Sequence, residues 1–247
     1  MNAEKVVDHL VNWLREQVQN AGAKGVVFGV SGGVDSAVVA AIAKRAFPNN
    51  CMALLMPCES SLDDLLHGQL LVEELNIPHR MVDLDNAYNL LSAKLGSYIK
   101  YDGQKGRLLR ANIKPRLRML TLYYSAQARD YLVVGTSNKS EIMVGYSTKY
   151  GDTGVDLQLI GDLVKKEVYA LAYYLQIPEV IINKAPSGGL WEGQTDEDEM
   201  GITYEQLDEY LTTGEGEPEV INHIEKMIKR SEHKRSLVPI ARIPRDD

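Results

Sequence analysis

The chain has 247 residues, 45% of them hydrophobic, enough for one large α/β core and short for two. Its net charge of −7 argues against a general nucleic-acid surface, and no run approaches the roughly 18 apolar residues that span a membrane. Cys51 and Cys58, with six residues between them, supply neither a disulfide framework nor a C-x-x-C pair, so the chain reads as a cytoplasmic globular protein.

In chain order, Val6, Val7, Leu10, Val11, Leu14 and Val18 recur at helical spacing, which makes the opening stretch an amphipathic helix rather than a signal peptide. Strands are expected at Val26–Ser31, Met52–Pro57, His79–Leu84 and Tyr131–Thr136. Helices are expected near Ala37–Phe47, Leu62–Leu75, Ala87–Tyr98 and Lys114–Arg129. This alternation predicts an α/β fold, a doubly wound parallel sheet flanked by helices. Ligands bind such sheets at the carboxyl ends of strands, where Ser31 and Thr136 fall. Beyond residue 136, TSNKSEIMVGYSTKYGDTGVDLQLIGD reads as a long functional loop region. A helix is expected over Lys165–Leu175. The glycine-rich, acidic NKAPSGGLWEGQTDEDEMGITY that follows reads as mobile, and a last helix is expected near Val220–Ser231. Without an internal repeat, residues 1–247 read as one domain with excursions.

The chemistry starts at the end of the first strand. In SGGVDS, residues 31–36, Gly32 and Gly33 let a ligand approach the main chain, and the following helix aims its free N–H groups and positive end at an anion. The segment is neither the G-x-x-x-x-G-K-[ST] loop nor the G-x-G-x-x-G fingerprint. It carries a carboxylate, Asp35, where a phosphate loop normally carries a cation, and that suits polyphosphate only with a metal such as Mg²⁺ between them. The same six residues also fit a plain strand-to-helix turn. Glu141, five residues past Thr136, fits a second ligand for that ion, or a solvated glutamate in a polar loop.

An acidic protein that binds polyphosphate must make its positive field locally. Three clusters offer it: Arg107, Arg110, Lys114, Arg116 and Arg118; Lys165 with Lys166; and Lys226, Lys229, Arg230, His233, Lys234 and Arg235. Lys226–Arg230 reads as a solvated helix face, whereas Arg116 suits bidentate contact with phosphate. Trp191 fits a lid anchor, an interface contact or a small satellite core. Neither cysteine has a nearby histidine, so nucleophilic catalysis by thiol is not expected.

Taken in order, SGGVDS, VVGTSNKSE, YSTKYGDTGVD, KAPSGGLWEGQTDEDEMGITY and EHKR closely resemble the ammonia-dependent NAD⁺ synthetases, over about residues 5 to 236. SGGVDS alone would indicate only an N-type ATP pyrophosphatase. The resemblance implies an adenine-nucleotide alpha-hydrolase-like fold, with ATP phosphates on Gly29, Val30, Ser31, Gly32, Gly33, Val34, Asp35 and Ser36. It implies Mg²⁺ on Asp35 and Glu141, further ATP contacts from Thr136, Lys165 and Ser187, and catalysis by Asp35, Glu141 and Lys165. Deamido-NAD⁺ would be bound by Arg116, Lys149, Asp156, His233 and Lys234, in a site built at a homodimer interface. Stretches 187–203 and 102–112 correspond to loops that order on substrate binding.

The implied reaction is activation of the nicotinate carboxylate as an acyl-adenylate, with loss of pyrophosphate, followed by attack of ammonia to give NAD⁺ and AMP. Charge neutralisation suffices for it, without a protein nucleophile. No glutaminase domain fits in the roughly 25 residues before the first strand, so free ammonia is the expected donor, alone or from a separate glutaminase. Two rivals are another N-type ATP pyrophosphatase acting on a different acceptor, which would need a nucleic-acid appendage or paired cysteines, and a non-catalytic adenine-nucleotide sensor.

Overall fold

The computed structural model describes residues 1–191 and 193–243. Helix α1 (Ala3–Asn20) begins where the Asn2 side chain accepts the Lys5 amide at 3.1 Å, and it buries Val7, Val11, Leu14 and Val18 as one stripe. Then come β1 (Gly25–Gly29), α2 (Val34–Ala46), β2 (Cys51–Leu55), α3 (Leu62–Glu74), β3 (His79–Met81), α4 (Asp85–Tyr98), α5 (Gly103–Ala111), α6 (Ile113–Gln127) and β4 (Tyr131–Gly135). The second half holds α7 (Lys139–Val144), β5 (Leu157–Gln158), α8 (Lys165–Tyr174), α9 (Glu179–Ile182), α10 (Asp196–Met200), α11 (Tyr204–Thr213) and α12 (Pro218–Arg235).

The strands are parallel, in the order β3-β2-β1-β4-β5. Side-chain alternation divides the core. Val26 and Phe28 of β1 turn to the layer of α1, α2, α3 and α8, while Val27 packs against Tyr88 of α4 and Leu122 and Ala126 of α6. The sheet is therefore doubly wound, as expected. Its order reverses between β1 and β4, so the crevice at their carboxyl ends is the topological switch point. A third cluster, Val144, Met200, Ile202, Tyr204, Leu207 and Ile224, joins α7, α10, α11 and α12.

The four expected strands are present, each ending one to three residues earlier than expected. Four differences are larger. The 102–112 stretch, expected as a loop, forms α5. The long loop region contains α7 and β5. The stretch read as mobile contains α10, leads into α11 and buries Gln194 and Asp196. The last helix extends on both sides, from Pro218 to Arg235. Each missed helix is short or lacks a long apolar stripe, so helical periodicity has little to register.

Candidate active site at the switch point

The segment after β1 is shaped by its own glycines and serines. Gly32 has φ +78°, and a Cβ there would lie 2.4 Å from the Asp64 carbonyl oxygen, so α3 closes against a main chain only glycine can supply. Gly33 precedes α2 with no side-chain cap, which leaves N–H groups of the helix's first turn free for an anion. Ser36 Oγ donates to the Gly33 carbonyl at 2.9 Å and accepts the Ser31 amide at 3.2 Å, while Ser31 Oγ accepts the Gly33 amide at 3.3 Å. Val34, Asp35 and Ser36 form the first turn of α2 rather than part of the loop.

Asp35 meets the other chemistry-bearing side chains there. Its Oδ2 lies 2.6 Å from Lys165 Nζ, and its Oδ1 accepts from Asn138 Nδ2 at 2.8 Å. Lys165 Nζ is also 3.5 Å from Glu141 Oε1. Asn138 caps α7 in a reciprocal box with Glu141: the Glu141 amide donates to Asn138 Oδ1 at 3.0 Å, and the Asn138 amide to Glu141 Oε2 at 3.2 Å. One fully buried asparagine thus orients both carboxylates. Burial and the neighbouring Asp35 push the Glu141 carboxyl up, to about 8. Burial opposes the charge on Lys165, but Asp35 and Glu141 outweigh it and raise the ammonium above its ordinary range. Lys165 is therefore a firmly protonated cation between two acids.

Around this trio stand residues that the sequence reading did not single out. The Tyr204 hydroxyl lies 2.9 Å from Asp196 Oδ2 and 3.3 Å from Glu141 Oε1, and its ring centroid is 4.8 Å from the Lys165 ammonium. Asp196 is buried, its carboxyl is raised by that burial, and its Oδ1 has no partner among the described residues. Buried Asp208 of α11 accepts the Lys165 and Lys166 amides at 3.2 and 2.7 Å, capping α8 from a distance. The N-x-x-E spacing of Asn138 and Glu141 was the one local signal available for any of these.

The other expected residues fall into two groups. Thr136 follows β4 directly and is half-buried at the switch point. Ser187 is exposed, its Oγ accepting the Gly189 amide at 3.1 Å. Arg116, Lys149, His233 and Lys234 are linked into one surface. Arg116 donates to the Lys149 carbonyl at 3.1 Å, Lys149 Nζ to the His233 carbonyl at 2.6 Å, and Lys234 Nζ to the Gly145 and Ser147 carbonyls at 2.7 and 2.5 Å. Asp156 stands apart from these contacts. It accepts the Tyr123 hydroxyl at 3.0 Å and the Val133 amide at 2.8 Å. Lys226, Lys229 and Arg230 are exposed on α12, the solvated face expected of them. Trp191 is partly covered, with the Arg107 guanidinium 4.7 Å from its ring centroid.

Hard carboxylate oxygens suit Mg²⁺, yet no three acidic, histidine or cysteine side chains form a metal cage among the described residues. An ion on Asp35 and Glu141 would need oxygens from elsewhere, which phosphate and water provide. Charge, main-chain donors and paired carboxylates together equip the crevice for a reaction at phosphorus.

Known proteins bear on which reaction that is. The sequence model of the family described as NAD synthase matches residues 6–238. The NH(3)-dependent NAD(+) synthetase of Syntrophomonas wolfei is 66% identical over 244 residues, 99% of this chain and 98% of its own. Among solved structures, NMN synthetase from Francisella tularensis superposes with a TM-score of 0.92 at 36% identity, covering 98% of this chain and 100% of that one. The NH3-dependent NAD synthetase from Campylobacter jejuni does so with a TM-score of 0.80 at 32% identity, with the same coverage.

Proposed function

This chain belongs to the NAD synthase family, and we propose that it amidates deamido-NAD⁺ with ammonia through an acyl-adenylate, releasing AMP and pyrophosphate. One observation carries the reading: the Lys165 ammonium lies between Asp35 and Glu141 beside a glycine turn at the sheet's switch point. In this scheme Gly29–Ser36 bind the β,γ-phosphates of ATP through main-chain N–H groups. Thr136 and Ser187 add hydroxyl contacts. Mg²⁺ held by Asp35 and Glu141 would neutralise charge on the departing pyrophosphate. Lys165 supplies a fixed positive charge to the same oxygens and needs no reorganisation as charge develops. Asn138 and Tyr204 hold Glu141 in place, as partners behind a ligand do.

Arg116, Lys149 and Lys234, with the His233 ring beside them, form the surface for the deamido-NAD⁺ phosphates, and Asp156 completes the acceptor site. We assign that site to a homodimer. Helices α4, α5 and α6 expose Leu90, Leu95, Leu109, Leu120 and Tyr124, apolar side chains of the kind that a second copy would cover. We place the enzyme in the cytoplasm, with ammonia as its nitrogen donor.

A second acceptor has a specific observation behind it, the close superposition on an NMN synthetase. The mononucleotide, nicotinate mononucleotide, carries the same carboxylate. The test offers each acceptor with ATP, Mg²⁺ and ammonium and quantifies the products. Equal amounts of NAD⁺, AMP and pyrophosphate from deamido-NAD⁺ are expected. Preferential amidation of the mononucleotide would move the assignment to NMN, and ADP with phosphate would overturn adenylate chemistry altogether.

A further inference from the structure

Helix α6 opens with three cations at alternate positions, and the fold uses them differently. Lys114 and Arg118 are four apart and so share a face. Arg118 donates to the Met56 carbonyl at 3.1 Å and to Ser60 Oγ at 3.2 Å, gripping the loop after β2. Lys114 grips the same loop through Glu59 Oε2 at 3.1 Å. Arg116, between them in sequence, is the exposed one that reaches Lys149.

Lys114 is only 3% exposed. A buried ammonium is costly unless its three N–H donors find acceptors. Glu59 is one, the Leu190 carbonyl at 2.9 Å is a second, and the Tyr88 ring covers another side with its centroid at 5.2 Å. Glu59 is itself anchored, its amide donating to Asp85 Oδ1 at 2.6 Å. Leu190 belongs to the stretch carrying Ser187, which is tied down elsewhere too. Lys184 pairs with Asp64, the residue whose carbonyl closes on Gly32. The Leu190 amide donates to buried Gln194 at 2.8 Å. Of these ties, the Lys114 contact joins the stretch directly to the loop at the carboxyl end of β2.

We propose that Lys114 is a clasp, a positioning residue that locks the Ser187–Trp191 stretch onto the β2–α3 loop and so shields the acyl-adenylate from water. The inference rests on the amidation reading above. Its chemical consequence is a partition. In the closed site ammonia adds to the acyl carbon and gives up one proton to solvent, the carbonyl carbon–oxygen bond to AMP breaks with its electron pair going to the AMP phosphate, and the amide and AMP leave. In an open site water adds to the same carbon and the same bond breaks, returning the free carboxylate and AMP. ATP is then spent without amide being formed.

The test measures AMP and NAD⁺ together at several ammonium concentrations, for wild type, Lys114→Met and Glu59→Gln. Wild type should give one NAD⁺ per AMP. Lys114→Met keeps the aliphatic stem and removes the donors, so it should release several-fold more AMP than NAD⁺ at low ammonium. The ratio should fall towards one as ammonium rises, because ammonia and water compete for one carbon. Glu59→Gln alters a half-exposed partner and should shift the ratio the same way by less. It also decides the matter if Lys114→Met does not fold, as judged by circular dichroism. Lower turnover with one NAD⁺ per AMP at every ammonium concentration, in folded variants, overturns the clasp. Wild type that forms no NAD⁺ would overturn the amidation reading instead.

Discussion

Replacing Lys165 by methionine probes the central electrostatic arrangement. The lysine side chain is 3% exposed, and its partners Asp35 and Glu141 are 17% and 15% exposed. Methionine keeps most of the packing volume, so the loss is chiefly of charge. Removing one partner of a buried ion pair costs about 3–5 kcal/mol, because the remaining charge is left uncompensated. In a chain of this size each kcal/mol moves the melting temperature by roughly 2–4 °C, so a fall of roughly 6–20 °C is expected in alkaline buffer. The deficit should shrink on acidification. Lys165 is one of the groups that hold the Glu141 carboxyl down, so without it the folded state keeps a proton on Glu141 that the unfolded chain has already released, and falling pH favours folding. Mg²⁺ should shrink it as well, by returning positive charge between the two acids. Thermal unfolding followed by circular dichroism, without nucleotide, across pH and with or without Mg²⁺, measures all three effects. A variant that melts with wild type in alkaline buffer, or whose deficit is the same at every pH, would refute the arrangement.

Two further predictions use the same melts. Gly32→Ala should destabilise, since alanine at φ +78° costs about 1–2 kcal/mol before its Cβ meets the Asp64 carbonyl oxygen. Gly33→Ala should be far milder, because its Cβ meets nothing nearer than Ser31 Oγ at 3.4 Å; equal losses would contradict the close approach of α3. Glu141→Gln tests the raised carboxyl. With a folded pKa of about 8 against an ordinary 4.5, Glu141 stabilises the ligand-free protein fully below the ordinary value, and that stabilisation is lost as pH rises through about 8. Glutamine cannot titrate, so the variant should gain on wild type across that window, and parallel pH profiles would show that Glu141 is ionised throughout.

How much was legible depends on the range of the signal. The SGGVDS turn could be read because its cues are adjacent: an apolar run, two glycines, then helix-forming residues. The doubly wound sheet could be read because alternating strands and helices leave few other topologies. Helix α7 escaped because six residues carry no apolar period, although its N-x-x-E box was visible. Tyr204 and Asp208 gave no signal at all, as a tyrosine and an aspartate in an amphipathic helix are ordinary.

By itself, the sequence determined the β1 turn, the alternation of β1 to β4 with the longer helices between them and the family, all of which rest on local patterns or ordered motifs. Only the tertiary structure decided that Asp35 would meet Lys165 130 positions later, and that Asn138, 103 positions from Asp35, would orient both carboxylates. The physical reason is the strand order, which sets β1 beside β4 and brings the starts of α2, α7 and α8 to one crevice. There, burial turns three ordinary charged residues into a coupled group, because desolvation and proximity act only once the chain has closed around them.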